Sequence, residues 1–336
     1  MRTIGFGIVG LGRIGKIHFD NINRHCKDAN VVAVSNLNSR NKEWVNNRAE
    51  VKIYESFEKM VLDPLVNAVV ISSPTSMHSK HIKTASQAGK AIFCEKPVDL
   101  SLDKVKELEH IIKINNVPFM VGFNRRFDNS ILKIKKAIDK GVIGSPQIIR
   151  ITSRDPDPPS IDYMKTSGGL FLDMAIHDFD MACYLNKQKV KTVYASGNVF
   201  GAPEIKKIGD IDTAVTTLTF ENGSLATIDN SRKAAYGYDQ RVEVFGNLGM
   251  SASKNQLPDN HYIANSDGIH TARPLGFFLE RYADSFIAII QEFIFCLLKQ
   301  KKINNGIEAG LNALLIALAA KKSLNEKRAI NLDEDF

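Results

Sequence analysis

Two side chains in the middle of the sequence have the types and the spacing that proton transfer requires. Asp173 and His177 lie four residues apart on a predicted helix, so both side chains project from one face. Histidine titrates near neutral pH and can take a hydroxyl proton while hydride leaves the same carbon, and a neighbouring carboxylate can orient the ring or hold a second hydroxyl. The alternative is a helix cap or a salt bridge. The pair Gly168-Gly169 precedes this helix and lets the backbone approach a neighbouring group closely.

A third candidate is Lys96, which follows a predicted strand at residues 91–94 and stands between Glu95 and Pro97. An ammonium group at a strand end can donate a proton or a hydrogen bond to a reacting oxygen. Together these residues could oxidise a secondary alcohol, provided that a hydride acceptor lies nearby.

A glycine-rich loop supplies the place for such an acceptor. Gly10-Leu-Gly12-Arg13-Ile14-Gly15 follows the first predicted strand and opens a helix. The first glycine permits the tight turn, the second lets the backbone approach a pyrophosphate, and the third allows close packing of helix on strand. The free N–H groups of the helix then face the phosphates. A glycine-rich turn of another α/β protein is the alternative.

The end of the second strand normally carries an acidic residue that binds the ribose hydroxyls, and here the position is Asn36. An amide can bind a ribose but does not repel a 2′-phosphate. Arg13 and Arg40 are near in sequence and could face such a phosphate. The choice between NAD and NADP therefore stays open at this point.

The segment Ser72-Ser73-Pro74 follows the next strand and is expected to lie along the cofactor, with His78 beyond it. His78 and His81 form an H-x-x-H pair. No third ligand is near in sequence, so we expect no metal site.

The elements that must position these residues change in character at about residue 124. Before it, short β-branched runs alternate with helical patterns, which predicts a doubly wound parallel sheet, a Rossmann domain over residues 1–124. The predicted strands are 4–9, 31–35, 68–72, 91–94 and 119–123, and the predicted helices are 13–25, 55–62, 78–88 and 102–115.

After residue 124, longer alternating strands predict an α+β domain over residues 125–336 with a large, mostly antiparallel sheet. The turn Glu221-Asn222-Gly223 predicts a hairpin between two of these strands. The predicted strands are 147–154, 192–199, 214–220, 225–231 and 240–245, preceded by a helix at 129–140.

Composition excludes several classes of protein. The 336 residues are 44% apolar and 24% charged, which is ordinary for a globular chain and atypical of disordered or coiled-coil proteins. The net charge of +7 is scattered and accompanies no nucleic-acid-binding motif. Four cysteines lie far apart, and no apolar stretch has the length of a membrane span. We expect a cytoplasmic protein that binds neither membrane nor nucleic acid.

The motifs taken together resemble the glucose–fructose oxidoreductase and inositol dehydrogenase family, over essentially the whole chain. The resemblance rests on the glycine loop, Glu95-Lys96-Pro97, the stretch from Gly122 to Phe127, and the stretch from Gly168 to Asp180. The stretches at 150–156 and 236–246 resemble the myo-inositol 2-dehydrogenases of that family. Asn36 departs from it, because an aspartate is usual there.

The resemblance implies a nicotinamide-dependent dehydrogenase that oxidises a cyclic polyol and assembles as a homotetramer. It favours NAD as the cofactor, with NADP also possible. We predict His177 as the base, Lys96 as a donor to the same oxygen, and Asp173 as an anchor for substrate and histidine. A cis Lys96–Pro97 bond is also implied. Further residues expected at the cofactor are Gly10, Gly12, Arg13, Ile14, Gly15, Asn36, Arg40, Ser72, Ser73, Pro74, His78, Glu95 and Lys96; those expected at the substrate are Lys96, Arg126, Arg154, Asp155, Asp173, His177 and Tyr236.

Two rival interpretations remain. The substrate could be another inositol isomer or a sugar. A noncatalytic, nucleotide-sensing regulator is the second rival, and loss of the Lys–Asp–His set would indicate it; here the set is complete. Asp178 and Asp180 share the Asp173 motif but are expected to be structural or exposed to solvent.

Overall fold

The computed structural model describes residues 3–336 and divides the chain into two compact units. The first unit is the chain up to Asn124 together with Asp284–Asn312, and the second is Arg125–Ala283 together with Ala313–Phe336. Each unit is described by itself below.

The first unit is built on a six-stranded parallel sheet of order β3-β2-β1-β4-β5-β6. Its three central strands are buried along their whole length, as expected for β-branched runs covered by helices on both faces. The predicted parallel sheet is confirmed. Its strands are β1 (Ile4–Val9), β2 (Ala29–Ser35), β3 (Lys52–Tyr54), β4 (Ala68–Ile71), β5 (Ala91–Cys94) and β6 (Phe119–Val121).

Five helices connect these strands: α1 (Arg13–His25), α2 (Ser39–Asn46), α3 (Phe57–Val61), α4 (Thr75–Gln87) and α5 (Leu102–Asn115). The sequence patterns predicted α1 and α5 with these bounds. Strand β3 was not predicted, because one exposed and two half-buried residues at a sheet edge give no clear alternation.

The second unit contains a seven-stranded mixed sheet of order β12-β11-β7-β10-β9-β8-β15 and a separate hairpin, β13 with β14. Every neighbouring pair is antiparallel except β7 with β10, so the predicted mostly antiparallel sheet is confirmed. The strands are β7 (Pro146–Arg154), β8 (Val190–Asn198), β9 (Thr213–Phe220), β10 (Leu225–Ser231), β11 (Asp239–Gly246), β12 (Gly249–Ser253), β13 (Tyr262–Asn265), β14 (Gly268–Thr271) and β15 (Ile330–Asn331).

The hairpin predicted at Glu221-Asn222-Gly223 joins β9 to β10. Gly223 has a φ of +82°, which an L side chain rarely adopts, and the Asn222 side chain accepts a hydrogen bond from the backbone N–H of Ser224.

One face of this sheet is buried and the other, here called the open face, is more exposed; several helices precede, connect or follow its strands. These helices are α6 (Asn129–Asp139), α7 (Ile161–Ser167), a π-helical turn at Leu170–Ala175, α8 (Ile176–Asn186), α9 (Pro203–Lys206) and α10 (Phe278–Arg281). Along β7, Ile149, Ile151 and Ser153 are buried, while the residues between them lie on the open face.

The C-terminal helices differ from the expected domain layout. The structure places Asp284–Asn312 in the first unit, whereas the sequence analysis assigned all of residues 125–336 to the second domain. The reason is aromatic packing by α11 (Ala283–Lys299), where the Phe293 ring lies 6.2 Å from that of Phe6 and 5.9 Å from that of Phe93. The unit boundary then falls within α12 (Ile307–Glu326), and α13 (Leu332–Asp335) ends the chain.

Among residues 3–336, no helix has the length and apolar character needed to cross a membrane.

Candidate active site

The glycine loop after β1 is held closely against the loop after β4. A Cβ on Gly10 would lie 2.5 Å from backbone atoms of Ser72 and Ser73, and Gly10 has a φ of +90°. A Cβ on Gly15 would lie 2.0 Å from the Gly10 carbonyl oxygen. The Ser72 hydroxyl donates to that same oxygen at 2.7 Å. Both glycines are therefore required by packing alone.

Gly12 differs from these two glycines, since a Cβ there would meet nothing within 4 Å. Gly12 is the N-cap of α1, and no side chain of the described residues caps this helix. The first N–H groups of a 13-residue helix therefore stay available, with Arg13 and Ile14 next to them. An open backbone and an uncapped N-terminus fit the pyrophosphate of a dinucleotide.

The residues that follow β2 form a corner with no carboxylate. Asn36 has a φ of +58°, a conformation that asparagine tolerates better than most residues, and its neighbour Asn38 caps α2 through a hydrogen bond to the Asn41 N–H. Residues 35–42 contain the cations Arg40 and Lys42 and no acid, and Arg40 is exposed. The corner fits a ribose and would tolerate an added phosphate.

Beyond β4, Pro74 precedes α4 and His78 lies inside the unit. His78 is 1% exposed, with Nδ1 2.8 Å from the Pro97 carbonyl oxygen and Nε2 2.8 Å from that of Ser73. Neither ring nitrogen is available for a direct contact with a cofactor in this arrangement. Burial lowers the pKa of His78, although the two carbonyl oxygens act in the opposite direction.

His81 contacts the loop after β4 and the first residue of α3. Its Nδ1 lies 3.0 Å from the Ser73 hydroxyl, its ring packs on Phe57 with centroids 4.6 Å apart, and burial lowers its pKa to about 4. No group of three or more metal-ligating side chains is present in the described part of the chain.

Lys96 is half-buried in the loop after β5, and its bond to Pro97 is cis, as the resemblance implied. A carboxylate oxygen of the preceding Glu95 lies 2.7 Å from His18 Nε2. A Cβ on Gly122 would lie 2.8 Å from the Glu95 carboxylate, so the glycine makes room for it. The Lys96 loop is thus fixed by contacts on either side of the lysine.

In the second unit, Asp173 lies in the π-helical turn and His177 in the first turn of α8. The sequence predicted one regular helix here. π-turns are rare, they follow no simple periodicity, and they occur frequently at functional sites. Gly169 begins the turn with a φ of +84°, and a Cβ there would lie 2.7 Å from the Asp210 carboxylate, which accepts from the Leu170 N–H at 3.1 Å.

The Asp173 carboxylate accepts from two side chains. The Tyr163 hydroxyl donates to one oxygen at 2.8 Å, and Arg232 Nη2 lies 3.4 Å from the other. Arg232 is 1% exposed, so a buried cation lies beside this carboxylate. No sequence pattern indicated Arg232, because it lies 59 residues from Asp173 along the chain. Tyr163 lies 10 residues before Asp173 on a separate helix, α7, so sequence spacing did not indicate its contact with Asp173.

Asp155 lies near this cluster. Burial raises its pKa to about 6, the charges of Arg125 and Arg232 oppose the shift, and the Asp173 carboxylate adds to it. Two carboxylates and two guanidinium groups are therefore grouped near the predicted base-bearing helix.

Arg154 and Tyr236 belong to a different set. Arg154 Nε donates to Asp229 at 2.6 Å and its Nη1 to the Tyr236 hydroxyl at 3.0 Å, on the open face of the sheet. The Tyr236 hydroxyl donates in turn to Asp239 at 2.5 Å. Arg154 ends β7 and Asp155 follows it, so alternation directs their side chains to opposite sides. The substrate role of Arg154 and Tyr236 stays a prediction.

Arg126 forms a two-bond ion pair with Asp180, at 2.8 and 2.5 Å, and Arg125 pairs with Asp178 at 2.5 Å. Both aspartates are at most 2% exposed, so they are structural and not exposed to solvent. The ion pair with Asp180 engages the Arg126 guanidinium, and a role of Arg126 in substrate binding stays a prediction.

Comparison with known proteins assigns the family. Residues 4–123 match the oxidoreductase family with an NAD-binding Rossmann fold, and residues 131–252 match the GFO/IDH/MocA C-terminal domain. The chain belongs to the GFO/IDH/MocA oxidoreductase family. It is therefore an oxidoreductase with an NAD-binding Rossmann domain, as the resemblance implied.

Individual family members match over nearly the full length. The oxidoreductase YrbE of Bacillus subtilis is 47% identical, covering 96% of this chain and 95% of the relative. The myo-inositol 2-dehydrogenase of Thermotoga maritima is 44% identical, covering 98% of both. The structure of scyllo-inositol dehydrogenase from Lactobacillus casei with NAD(H) and scyllo-inositol superimposes with a TM-score of 0.92 at 32% identity, covering 99% of this chain and 100% of that one.

Proposed function

We propose that this oxidoreductase oxidises myo-inositol to its 2-keto product with NAD as the hydride acceptor. The observation that carries the proposal is the cluster around Asp173 and His177, in a chain 44% identical to a myo-inositol 2-dehydrogenase. A buried carboxylate held by Arg232 and Tyr163, next to a histidine, suits a neutral ring with many hydroxyl groups.

The cofactor would be held by the open Gly12 backbone and the N-terminus of α1, with Asn36 at the ribose. When bound, its nicotinamide supplies the carbon that accepts the hydride. His177 removes the hydroxyl proton as the hydride leaves the same carbon, and the proton stays on the imidazole until solvent takes it. Asp173 holds the ring or a neighbouring hydroxyl, and Lys96 donates a hydrogen bond to the reacting oxygen.

A spectrophotometric panel at 340 nm tests the proposal. Purified protein is given myo-, scyllo- and D-chiro-inositol and glucose, each with NAD and with NADP. We expect the highest kcat/KM with myo-inositol and NAD. A higher kcat/KM with scyllo-inositol or glucose would identify that compound as the preferred substrate instead. Tight NADH binding without turnover of any polyol would favour a nucleotide-sensing regulator.

The scyllo isomer is the second candidate. The relative solved with scyllo-inositol covers the whole chain at 32% identity. The two isomers differ at one ring carbon, so a single hydrogen-bonding group can decide between them.

We also propose a cytoplasmic homotetramer. The open face of the second unit's sheet carries Tyr194, Val215 and Leu225 on neighbouring strands, each at least 40% exposed, which suits burial against another copy. Light scattering after size-exclusion chromatography should give the mass of four chains; the mass of one chain would contradict this.

A further inference from the structure

The buried face of α4 carries polar side chains where an apolar stripe would be ordinary. His78, Ser79 and His81 are 1%, 8% and 2% exposed. Buried polar groups need hydrogen-bond partners, so the partners of these three side chains show which segments α4 holds in place. Two of them reach the loop that carries Lys96, residues 95–101, here called the Lys96 segment.

His78 bridges two loops of the first unit. Its ring lies 2.8 Å from the backbone oxygen of Pro97, directly after Lys96, and 2.8 Å from that of Ser73 in the loop after β4. Ser79 donates a short hydrogen bond to Asp99, and Asp99 accepts from the Ser101 N–H at 3.0 Å. The α4 side of the Lys96 segment is thus attached at Pro97 and at Asp99.

The other side of the segment is attached to α1. His18 is fully buried, its Nε2 lies 2.7 Å from Glu95, and its ring packs edge-on against Phe93 at 4.9 Å. Lys96 therefore stands between two residues that are each fixed by a buried histidine from a different helix. Neither histidine is available at the surface for a contact of its own.

We propose that His78 is a positioning residue that sets the location of Lys96 through the Pro97 carbonyl, with His18 supporting the opposite side through Glu95. The inference rests on the proposed function for the role of Lys96 in turnover. A misplacement of about 1 Å at a catalytic group can lower a rate about a hundredfold, so the attachment matters for kcat more than for binding.

Two amide substitutions separate the contacts of His78. The amide nitrogen of asparagine lies near the position of Nδ1, so His78→Asn keeps a donor toward Pro97. The amide nitrogen of glutamine lies near the position of Nε2, so His78→Gln keeps a donor toward Ser73. His81→Gln is the matched control, because His81 lies buried on the same helix and contacts the Ser73 hydroxyl instead of the Lys96 segment.

Three quantities are measured in each folded variant: kcat with myo-inositol, the Kd for NADH from fluorescence, and the rate of reductive methylation at Lys96 relative to the other lysines by mass spectrometry. In His78→Gln we expect kcat to fall about ten- to a hundredfold and Lys96 to be methylated faster, with the Kd for NADH within about threefold of wild type. His78→Asn and His81→Gln should stay near wild type in kcat and in the methylation rate.

Equal kcat values in His78→Asn and His78→Gln, or an unchanged Lys96 methylation rate in His78→Gln, would overturn the proposal. If His78→Gln does not fold, Ser79→Ala removes the neighbouring contact to Asp99 and should also raise the Lys96 rate; an unchanged rate there would overturn it equally. The methylation measurement needs no turnover, so it decides the positioning role even if the wild-type protein oxidises no polyol.

Discussion

The two units stabilise their functional side chains with different chemistry. In the first unit, buried histidines contact backbone oxygens, a serine hydroxyl or a carboxylate, as His78 does with Ser73 and Pro97 and His18 does with Glu95. In the second unit the corresponding groups are ion pairs between buried arginines and aspartates. These pairs are Arg125–Asp178, Arg126–Asp180, Arg232–Asp173 and Arg281–Asp128.

Under the proposed function, the difference follows from what each unit binds. Phosphates and ribose are bound by backbone N–H groups and small polar side chains, so the first unit needs an accurately placed backbone. A polyol offers only hydroxyl groups, so the second unit needs several charged donors and acceptors around a base. Removing one partner of a buried ion pair leaves an uncompensated charge, whereas removing one histidine leaves an unmet hydrogen bond. Substitutions in the second unit should therefore cost more stability.

The largest expected effect is on turnover and concerns the proposed base. His177→Ala should lower kcat by about two to four orders of magnitude, the range for loss of a general base. The Kd for NADH should change little, since the glycine loop of the first unit is intact. Stopped-flow and steady-state rates at 340 nm measure the loss. If chemistry limits turnover and the variant keeps the wild-type kcat, His177 is not the general base.

Arg232→Met tests the ion-pair chemistry of the second unit. It keeps an apolar stem and deletes the cation beside Asp173, so the free energy of unfolding should fall by about 3–5 kcal/mol. Urea denaturation measures it. Arg150→Gln is the matched control, because Arg150 is 67% exposed and pairs with Glu243 at 3.5 Å, and such pairs contribute about 0–1 kcal/mol. An equal loss of unfolding free energy in both variants would contradict the stabilising role of the buried ion pair.

Asp155 gives the pH dependence. Burial raises its pKa from 3.8 to about 6, so the folded protein keeps this proton to a higher pH than the unfolded chain does. The contribution of Asp155 to the free energy of unfolding is therefore complete below about pH 4. It is lost as the pH rises through 6, by about 3 kcal/mol in total. Asp155→Asn stays neutral and should not lose it. The free energy of unfolding is measured between pH 4 and 8 for the variant and the wild type. The same dependence on pH in both proteins would refute this prediction.

The smallest expected effect concerns the first unit. Asn36 brings no charge to the ribose corner, so Asn36→Asp should repel a 2′-phosphate and raise the NAD-over-NADP ratio of kcat/KM by about tenfold to thirtyfold. The ionic strength must be fixed, because exposed phosphate contacts are screened. A wild type that already rejects NADP more than about a thousandfold would show that another residue sets the choice.

The same difference decides how much could be predicted from sequence. The first unit's site is local: Gly10, Gly12 and Gly15 follow one strand and open one helix, and their spacing predicts the loop that the structure contains. His18 also follows a pattern, since it falls on the buried stripe of α1 with Gly15, Phe19 and Ile22.

The second unit's site is long-range, and there the prediction was incomplete. The spacing of Asp173 and His177 indicated the site, but nothing near them in sequence points to Tyr163, Arg232 or Asp210. The π-helical turn has no periodic signal, and the ion pairs connect residues more than 50 positions apart, such as Arg126 with Asp180. Strand alternation could have separated Arg154 from Asp155, because successive residues face opposite sides.

The central claim is that hydride leaves a ring carbon of myo-inositol while His177 takes the hydroxyl proton. Incubation with NAD and myo-inositol deuterated at carbon 2, followed by mass spectrometry of the cofactor, tests it most directly. The account predicts NADH that carries one deuterium, together with a primary isotope effect on kcat when chemistry limits turnover. NADH formed without deuterium would place the oxidation at another carbon, and no NADH at all would contradict the proposed reaction.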